Sequence, residues 1–146
     1  MSAACLLDTN VLLYLANPAA PEHASAKAAV AKLLVGDERP VIAAQVLYEF
    51  WSVATRPATA NGLGWSVAQA RAEVETVRAR FFLLEESPAV IDLWLDLAVA
   101  HGLKGKRIHD VHLVATMKAN GVTRLLTFNA ADFPVELGVS ILTPSN

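Results

Sequence analysis

Residues 5–14, Cys-Leu-Leu-Asp-Thr-Asn-Val-Leu-Leu-Tyr, decide the fold of this 146-residue chain. The first three of them end a short apolar run that begins at Ala3 and predicts a buried β-strand over residues 3–7. The polar triplet Asp8-Thr9-Asn10 then offers side chains that cap helices well, and the apolar residues after it predict a helix over residues 11–16. A buried strand that leads directly into a helix is typical of the opening of an α/β domain.

The rest of the chain repeats this alternation of short apolar runs and longer segments with helical periodicity. Ser66 and Gln69 have the spacing of a capping box at one helix start. Strands separated by helices indicate a parallel sheet covered on both faces. We therefore predict an α/β fold, a three-layer α/β/α sandwich whose central parallel sheet has four or five strands, in a single domain over residues 1–146. The predicted strands are residues 3–7, 41–43, 81–84, 124–127 and 139–142, and the predicted helices are residues 11–16, 22–34, 45–55, 66–80, 87–102 and 108–119.

Composition narrows the classes of protein to consider. Hydrophobic residues make up 54% of the chain and charged residues 18%, which excludes an intrinsically disordered protein. The net charge of −2 provides no global attraction to nucleic acid, so any such contact needs a local basic patch or metal ions. The single cysteine, Cys5, excludes an internal disulfide and a zinc site made of thiolates. Since no apolar run approaches the ~20 residues that span a membrane and no secretory signal is evident, we expect a cytoplasmic protein without a membrane partner.

Acidic and amide side chains follow two of the predicted strands. Asp8 follows the first strand, and the turn that contains Asn129 and Asp132 follows the fourth. In open α/β sheets, binding sites form beyond the carboxyl ends of the strands, where the strand order reverses. If the first and fourth strands are neighbours, these turns face one crevice. Capping of the first helix would explain Asp8 equally well, and Asn129 and Asp132 taken alone are common turn residues.

Asp110 is a stronger candidate, because it shares a helical stripe with the apolar residues Leu113, Val114 and Met117. A carboxylate directed inward is rare unless it is paired or bound to a metal ion. The alternative is an acid in the first turn of a helix, where the helix dipole favours a negative charge. The apolar stripe favours a functional role for Asp110 over this alternative.

Glu49 is a weaker candidate, because it shares a stripe with Gln45, Ser52 and Arg56, and such a polar stripe is usually solvated. Its helix follows the second strand, however, so the first turns of this helix can overhang the same crevice. Several carboxylates in one cleft repel one another and need bound cations to stay ionised. Oxygen ligands without cysteine favour Mg²⁺ or Mn²⁺ over structural zinc.

Four segments in order resemble a PIN domain, and most closely the VapC-type toxins of bacterial toxin–antitoxin systems. They are residues 5–14, the helix that bears Glu49, residues 108–115 (Ile-His-Asp-Val-His-Leu-Val-Ala) and residues 126–133 (Leu-Thr-Phe-Asn-Ala-Ala-Asp-Phe). The resemblance covers essentially the whole chain. It implies the strand order 3-2-1-4-5, which places the first and fourth strands side by side.

The same resemblance implies a Mg²⁺- or Mn²⁺-dependent endoribonuclease that leaves 5′-phosphate and 3′-hydroxyl ends. On this pattern Asp8 and Asp110 are the principal metal ligands, and Glu49 completes the acidic centre or orients the attacking water. The fourth family position, often Asp, is Asn129 here, and Asp132 is the candidate for the missing carboxylate, directly or through water. The resemblance also implies an RNA substrate, a homodimer, and a small antitoxin protein whose C-terminal segment lies along a groove leading to the acids.

Several alternatives stay open from the sequence alone. Lys104, Lys106 and Arg107 are candidates for contacts with RNA phosphates, although an ordinary solvated loop fits them equally well. His109 and His112 flank Asp110, and hydrogen bonding at the surface explains them better than a histidine metal site does. The functional alternative is a PIN-like domain that binds RNA or protein without cleaving, which the asparagine at position 129 favours.

Two other enzyme classes fit less well. A haloacid dehalogenase-type phosphatase carries an acid at the position of Asn10, and a receiver domain carries a phospho-accepting Asp after the third strand, where this chain has Glu85 and Glu86.

Overall fold

The computed structural model describes residues 3–134 and 137–144 of the chain. Its five described strands form one parallel sheet in the order β3-β2-β1-β4-β5, so the order implied by the family resemblance is confirmed. The central strand β1 consists of apolar residues, and Cys5, Leu6 and Leu7 in it are completely buried. The strands are β1 (Ala4–Leu7), β2 (Arg39–Ile42), β3 (Phe82–Leu83), β4 (Arg124–Leu126) and β5 (Ser140–Leu142).

Six α-helices of the described chain flank this sheet, as the three-layer prediction requires. Each begins and ends within two residues of its predicted bounds. The predicted capping box is confirmed, since the Ser66 hydroxyl accepts from the Gln69 N–H and the Gln69 side chain accepts from the Ser66 N–H. The helices are α1 (Thr9–Ala16), α2 (His23–Val35), α3 (Ala44–Thr55), α4 (Val67–Arg80), α5 (Pro88–Ala100) and α6 (Arg107–Ala119), and two short 3₁₀ turns occupy Ala58–Ala60 and Ala130–Asp132.

The bounds of β2 differ from the prediction. The strand begins at Arg39 rather than at Val41, so it includes Pro40. The Arg39 N–H donates to the carbonyl of Ala3, 2.7 Å away, so the nitrogen of Pro40 faces away from β1. On that side β3 begins only opposite Val41, so the missing N–H of Pro40 leaves no partner unsatisfied.

The core lies between the sheet and the helices. Phe50 of α3 is the largest completely buried side chain, and Val11 and Leu12 of α1 and Val114 and Met117 of α6 are completely buried as well. Burial raises the pKa of the Cys5 thiol to about 12, so this thiol stays protonated and packs as a small apolar side chain. None of the described helices combines the length and the apolar character needed to cross a membrane.

Adjacent parallel strands place their carboxyl ends at the same edge of the sheet. β1 and β4 are hydrogen-bonded neighbours, and Leu7 is the partner of Leu126 in their register. The Asp8 N–H continues the pairing by donating to the Leu126 carbonyl at 3.0 Å. The turns that begin at Asp8 and at Thr127 therefore start side by side.

Candidate active site

Asp8 is both a helix cap and a member of the acidic cluster. It is the N-cap of α1, where its Oδ1 accepts from the Thr9 N–H at 2.8 Å. Its Oδ2 accepts from the Thr127 hydroxyl at 2.7 Å and from Nδ2 of Asn10 at 3.4 Å. Burial raises the pKa of Asp8, and the hydrogen bonds from Thr127 and Thr9 oppose that rise. The two sequence interpretations of Asp8 are therefore compatible.

Thr127 links the ends of β1 and β4 and is a site residue that was not predicted from the sequence. Its buried hydroxyl donates to Asp8 and accepts from the Asn129 N–H at 3.0 Å and from Nδ2 of Asn10 at 3.3 Å. Asn10 adds a second link, because its Oδ1 accepts from the Phe128 N–H at 3.0 Å. The signal in the sequence is a threonine two residues before Asn129, the spacing at which a threonine hydroxyl bonds a backbone N–H.

Asp110 lies in the first turn of α6 and is partly buried. The pKa of Asp110 is raised to about 6, first by burial and then by the negative charges of Asp132, Asp8 and Glu49 in that order of size, whereas Arg107 acts to lower it. The four acids therefore share one electrostatic environment, which the crevice hypothesis requires.

Glu49 projects from α3 with both carboxylate oxygens hydrogen-bonded. Its Oε1 accepts from Nε2 of Gln45 at 2.7 Å, and its Oε2 accepts from the Thr9 hydroxyl at 3.3 Å. Thr9 follows Asp8 directly, so Glu49 is tied to the end of β1. Glu49 is exposed, as its polar stripe suggested. Its carboxylate nevertheless accepts hydrogen bonds from α1 and from α3 and is not free in solvent.

An open groove of about 620 Å³ runs past these acids. Asp132 lines this groove. Asn129 is exposed, and its backbone N–H donates to the Thr127 hydroxyl. This placement favours Asp132 over Asn129 as the fourth polar group. The residues that line the groove are Gln45, Tyr48, Glu49, Lys106, Arg107, His109, Asp110 and Asp132.

Two of the predicted basic residues reach the groove. Lys106 and Arg107 line it at the start of α6, and in the described chain Lys104 is not among its lining residues. Arg56 lies elsewhere, with its guanidinium donating to the Asn61 carbonyl at 3.3 Å. Among the described residues, the positive charge in the groove lining therefore comes from the start of α6.

The donor set suits a hard divalent cation, because the four acids supply only oxygen atoms. In the ranges 3–134 and 137–144, however, no three Asp, Glu, His or Cys side chains stand in an arrangement ready to hold a metal ion. Both oxygens of Asp8 and of Glu49 accept hydrogen bonds within the protein. The residues thus fit a cation by their chemistry and charge.

The fold agrees with comparison to known proteins. The family model of the PIN domain matches residues 5–134. The chain belongs to the PIN domain family. Ribonuclease VapC24 of Mycobacterium tuberculosis is 30% identical over 129 residues, which are 87% of each chain. This similarity places the chain among the VapC-type PIN domains, as the sequence resemblance indicated.

Solved structures show the same PIN fold. The VapBC2 structure of Rickettsia felis, bound to a DNA fragment from its promoter, superposes with a TM-score of 0.69 at 17% identity and covers 96% of this chain and 98% of that chain. VapBC-1 of nontypeable Haemophilus influenzae superposes with a TM-score of 0.69 at 17% identity over 98% of this chain and 99% of that chain. At these identities the likeness supports the fold alone.

We predict that Asp110→Asn raises the melting temperature of the ion-free protein at pH 7.5. The pKa of Asp110, raised from 3.8 to about 6, means that the native state holds its proton more tightly than the unfolded state. The contribution of Asp110 to the free energy of unfolding therefore falls as the pH rises from 3.8 to about 6, and the loss is complete above pH 6. Asparagine has no charge to bury.

Thermal melts in the presence of a chelator, from pH 4 to pH 8, measure this effect. The melting temperature of Asp110→Asn should exceed that of wild type above pH 6 and approach it near pH 4. Asp96→Asn, on an exposed position of α5, is the matched control and should follow wild type. An Asp110→Asn protein that is less stable than wild type at pH 7.5 would contradict the electrostatic description of the groove.

Proposed function

We propose that this PIN domain is a Mg²⁺- or Mn²⁺-dependent endoribonuclease that hydrolyses RNA phosphodiester bonds in the cytoplasm as the toxin of a toxin–antitoxin pair. The observation that carries the proposal is the groove lined by Glu49, Asp110 and Asp132, together with Asp8, whose charge acts on the pKa of Asp110. Similarity to a VapC ribonuclease over 87% of the chain supports the nuclease class.

In this proposal Asp8, Asp110, Glu49 and Asp132 hold the divalent ion. When bound, such an ion lowers the pKa of a water molecule and neutralises charge on the phosphodiester. The four carboxylates repel one another when no cation is bound. A bound divalent cation neutralises this repulsion and attracts all four carboxylates.

The protein's own groups supply positioning and substrate binding. Glu49, with both of its oxygens fixed by Gln45 and Thr9, is oriented to accept a hydrogen bond from the attacking water and to align it. Lys106 and Arg107, at the start of α6, contact the phosphates of the RNA that lies in the groove. This local positive charge compensates for the net charge of −2 of the whole chain.

Asp8→Asn tests the nuclease proposal while keeping a capping residue at the start of α1, because asparagine caps helices as well as aspartate does. Cleavage of a panel of structured RNAs should require Mg²⁺ or Mn²⁺, stop on chelation and leave 5′-phosphate ends. Asp8→Asn should lower the rate by a factor of at least about 100, the size of effect expected when a group that stabilises transition-state charge is lost.

The control for this experiment is Asp96→Asn, which should cleave at the wild-type rate. A wild-type protein that binds these RNAs and cleaves none of them with either ion would favour the non-cleaving PIN module, which the asparagine at position 129 makes the second candidate.

We further propose a protein antitoxin as partner, supported by the solved neighbours, which include toxin–antitoxin complexes from Klebsiella pneumoniae and Haemophilus influenzae. An apolar groove of about 510 Å³ lies between α3 and α4, and Tyr48 lines both this groove and the acidic groove. Tyr48 is 72% exposed, and an exposed apolar surface of this kind is typical of a docking site. The lining residues of the apolar groove are Ala44, Leu47, Tyr48, Trp51, Val74, Arg78 and Leu83.

We propose a homodimer through a different surface. Ile91, Leu95 and Val99 recur every four residues on α5, so they form one apolar stripe. Their side chains are 59%, 53% and 74% exposed, respectively. Packing of this stripe against its copy in a second chain would remove it from water, which is the usual reason for such a surface on a helix.

Two lysine substitutions at exposed positions separate these surfaces. Leu95→Lys should convert the dimer to a monomer in sedimentation velocity and leave antitoxin binding unchanged. Tyr48→Lys should weaken binding of the co-expressed cognate antitoxin by at least about 10-fold, as loss of an aromatic anchor does, and leave the dimer intact. If either variant produces the effect assigned to the other, the two surfaces are assigned wrongly.

A further inference from the structure

Gln45 ties the helix that carries Glu49 to the helix that carries Asp110. It lies on α3, one turn before Glu49, and its Nε2 donates to Oε1 of Glu49 at 2.7 Å. The same nitrogen donates to the backbone carbonyl of His109 at 2.9 Å, and His109 directly precedes Asp110 on α6. One side-chain amide therefore contacts both sides of the acidic groove.

The orientation of this amide is determined by its partners. A carboxylate and a carbonyl can only accept, so the amide nitrogen of Gln45 must face them, and its Oε1 is left facing Nδ1 of His112. Nδ1 of His112 must then carry the hydrogen and donate it to Oε1. The other ring nitrogen of His112, Nε2, lies 2.9 Å from Oε1 of Glu86, in the segment between β3 and α5.

These contacts form a chain from Glu86 through His112 and Gln45 to Glu49. Thr9 holds the second oxygen of Glu49, so donors from α1 and from α3 together fix the plane of an otherwise exposed carboxylate. An exposed glutamate without such partners samples many rotamers, and ordering it only at the moment of reaction slows the reaction.

We propose that Gln45, held by His112, is a positioning residue that orients the Glu49 carboxylate and sets its separation from Asp110 during RNA cleavage. This inference rests on the proposed nuclease function. It assigns His112 a place in the hydrogen-bond chain behind Glu49, and it explains why a histidine two residues after Asp110 points towards α3.

Two substitutions of His112 distinguish positioning from a general structural role. The amide of asparagine occupies roughly the place of Nδ1, and the amide of glutamine roughly that of Nε2. His112→Asn can therefore keep a donor to Gln45, whereas His112→Gln keeps only the contact with Glu86. We expect His112→Gln to lower kcat by about 10- to 100-fold with KM nearly unchanged, and His112→Asn to restore most of that loss.

Removal of Glu49 provides the second part of the test. In a Glu49→Gln background, His112→Gln should lower kcat no further, because the group that it positions is already gone. Gln45→Ala, at a surface helical position that tolerates alanine, should show the same loss and the same lack of additivity, so the test does not depend on the folding of one variant. Additive losses for both variants would overturn the proposal, as would equal activity of His112→Gln and His112→Asn.

A third measurement needs neither metal nor substrate. In the chelated protein, the Nδ1 proton of His112 and the side-chain amide of Gln45 should give NMR signals that exchange slowly with water. The Gln45 signal should persist in His112→Asn and be lost in His112→Gln. Wild-type protein that cleaves no RNA would overturn the nuclease function, whereas an unchanged Gln45 signal in His112→Gln would overturn the hydrogen-bond chain itself.

Discussion

The parallel pairing of β1 with β4 is the constraint on which the rest of the molecule depends. It brings Asp8 and Thr127, which are 119 positions apart in the chain, within 2.7 Å of each other. The buried hydroxyl of Thr127 then fixes Asp8 on one side and the turn towards Asp132 on the other. Without this pairing, no acid at the end of β1 would meet an acid of the segment after β4.

The fold brings carboxylates that repel one another close together in the acidic groove. Burial and three neighbouring negative charges raise the pKa of Asp110, and Arg107 acts against them. Asp8, by contrast, is supported by hydrogen bonds from its own helix and from Thr127. Asp8 and Asp110 thus differ in environment, one held by hydrogen bonds and the other with a raised pKa, and perturbed pKa values are common at functional sites.

The sequence predicted those features that depend on local chemistry and periodicity. The apolar run before Asp8 marked the central strand, and the stripe shared by Asp110 and Met117 placed this acid against the core. The start of β2 was predicted two residues too late, because Pro40 suggested a turn. A proline fits the strand here because β3 begins only opposite Val41, and this could not be known from the sequence. The chain of contacts through His112 and Gln45 was not visible at all, because it joins residues 67 positions apart and no local pattern encodes their contact.

The central claim is that Asp8 and Asp110 bind a common divalent ion. Anomalous diffraction from a crystal grown with Mn²⁺ tests it most directly, because the signal locates the ion and the refined structure identifies the oxygen atoms around it. The prediction is a manganese peak in the groove with carboxylate oxygens of both Asp8 and Asp110 in its coordination sphere, and no such peak in Asp8→Asn. Manganese bound elsewhere, or bound in the groove without either carboxylate, would contradict the claim.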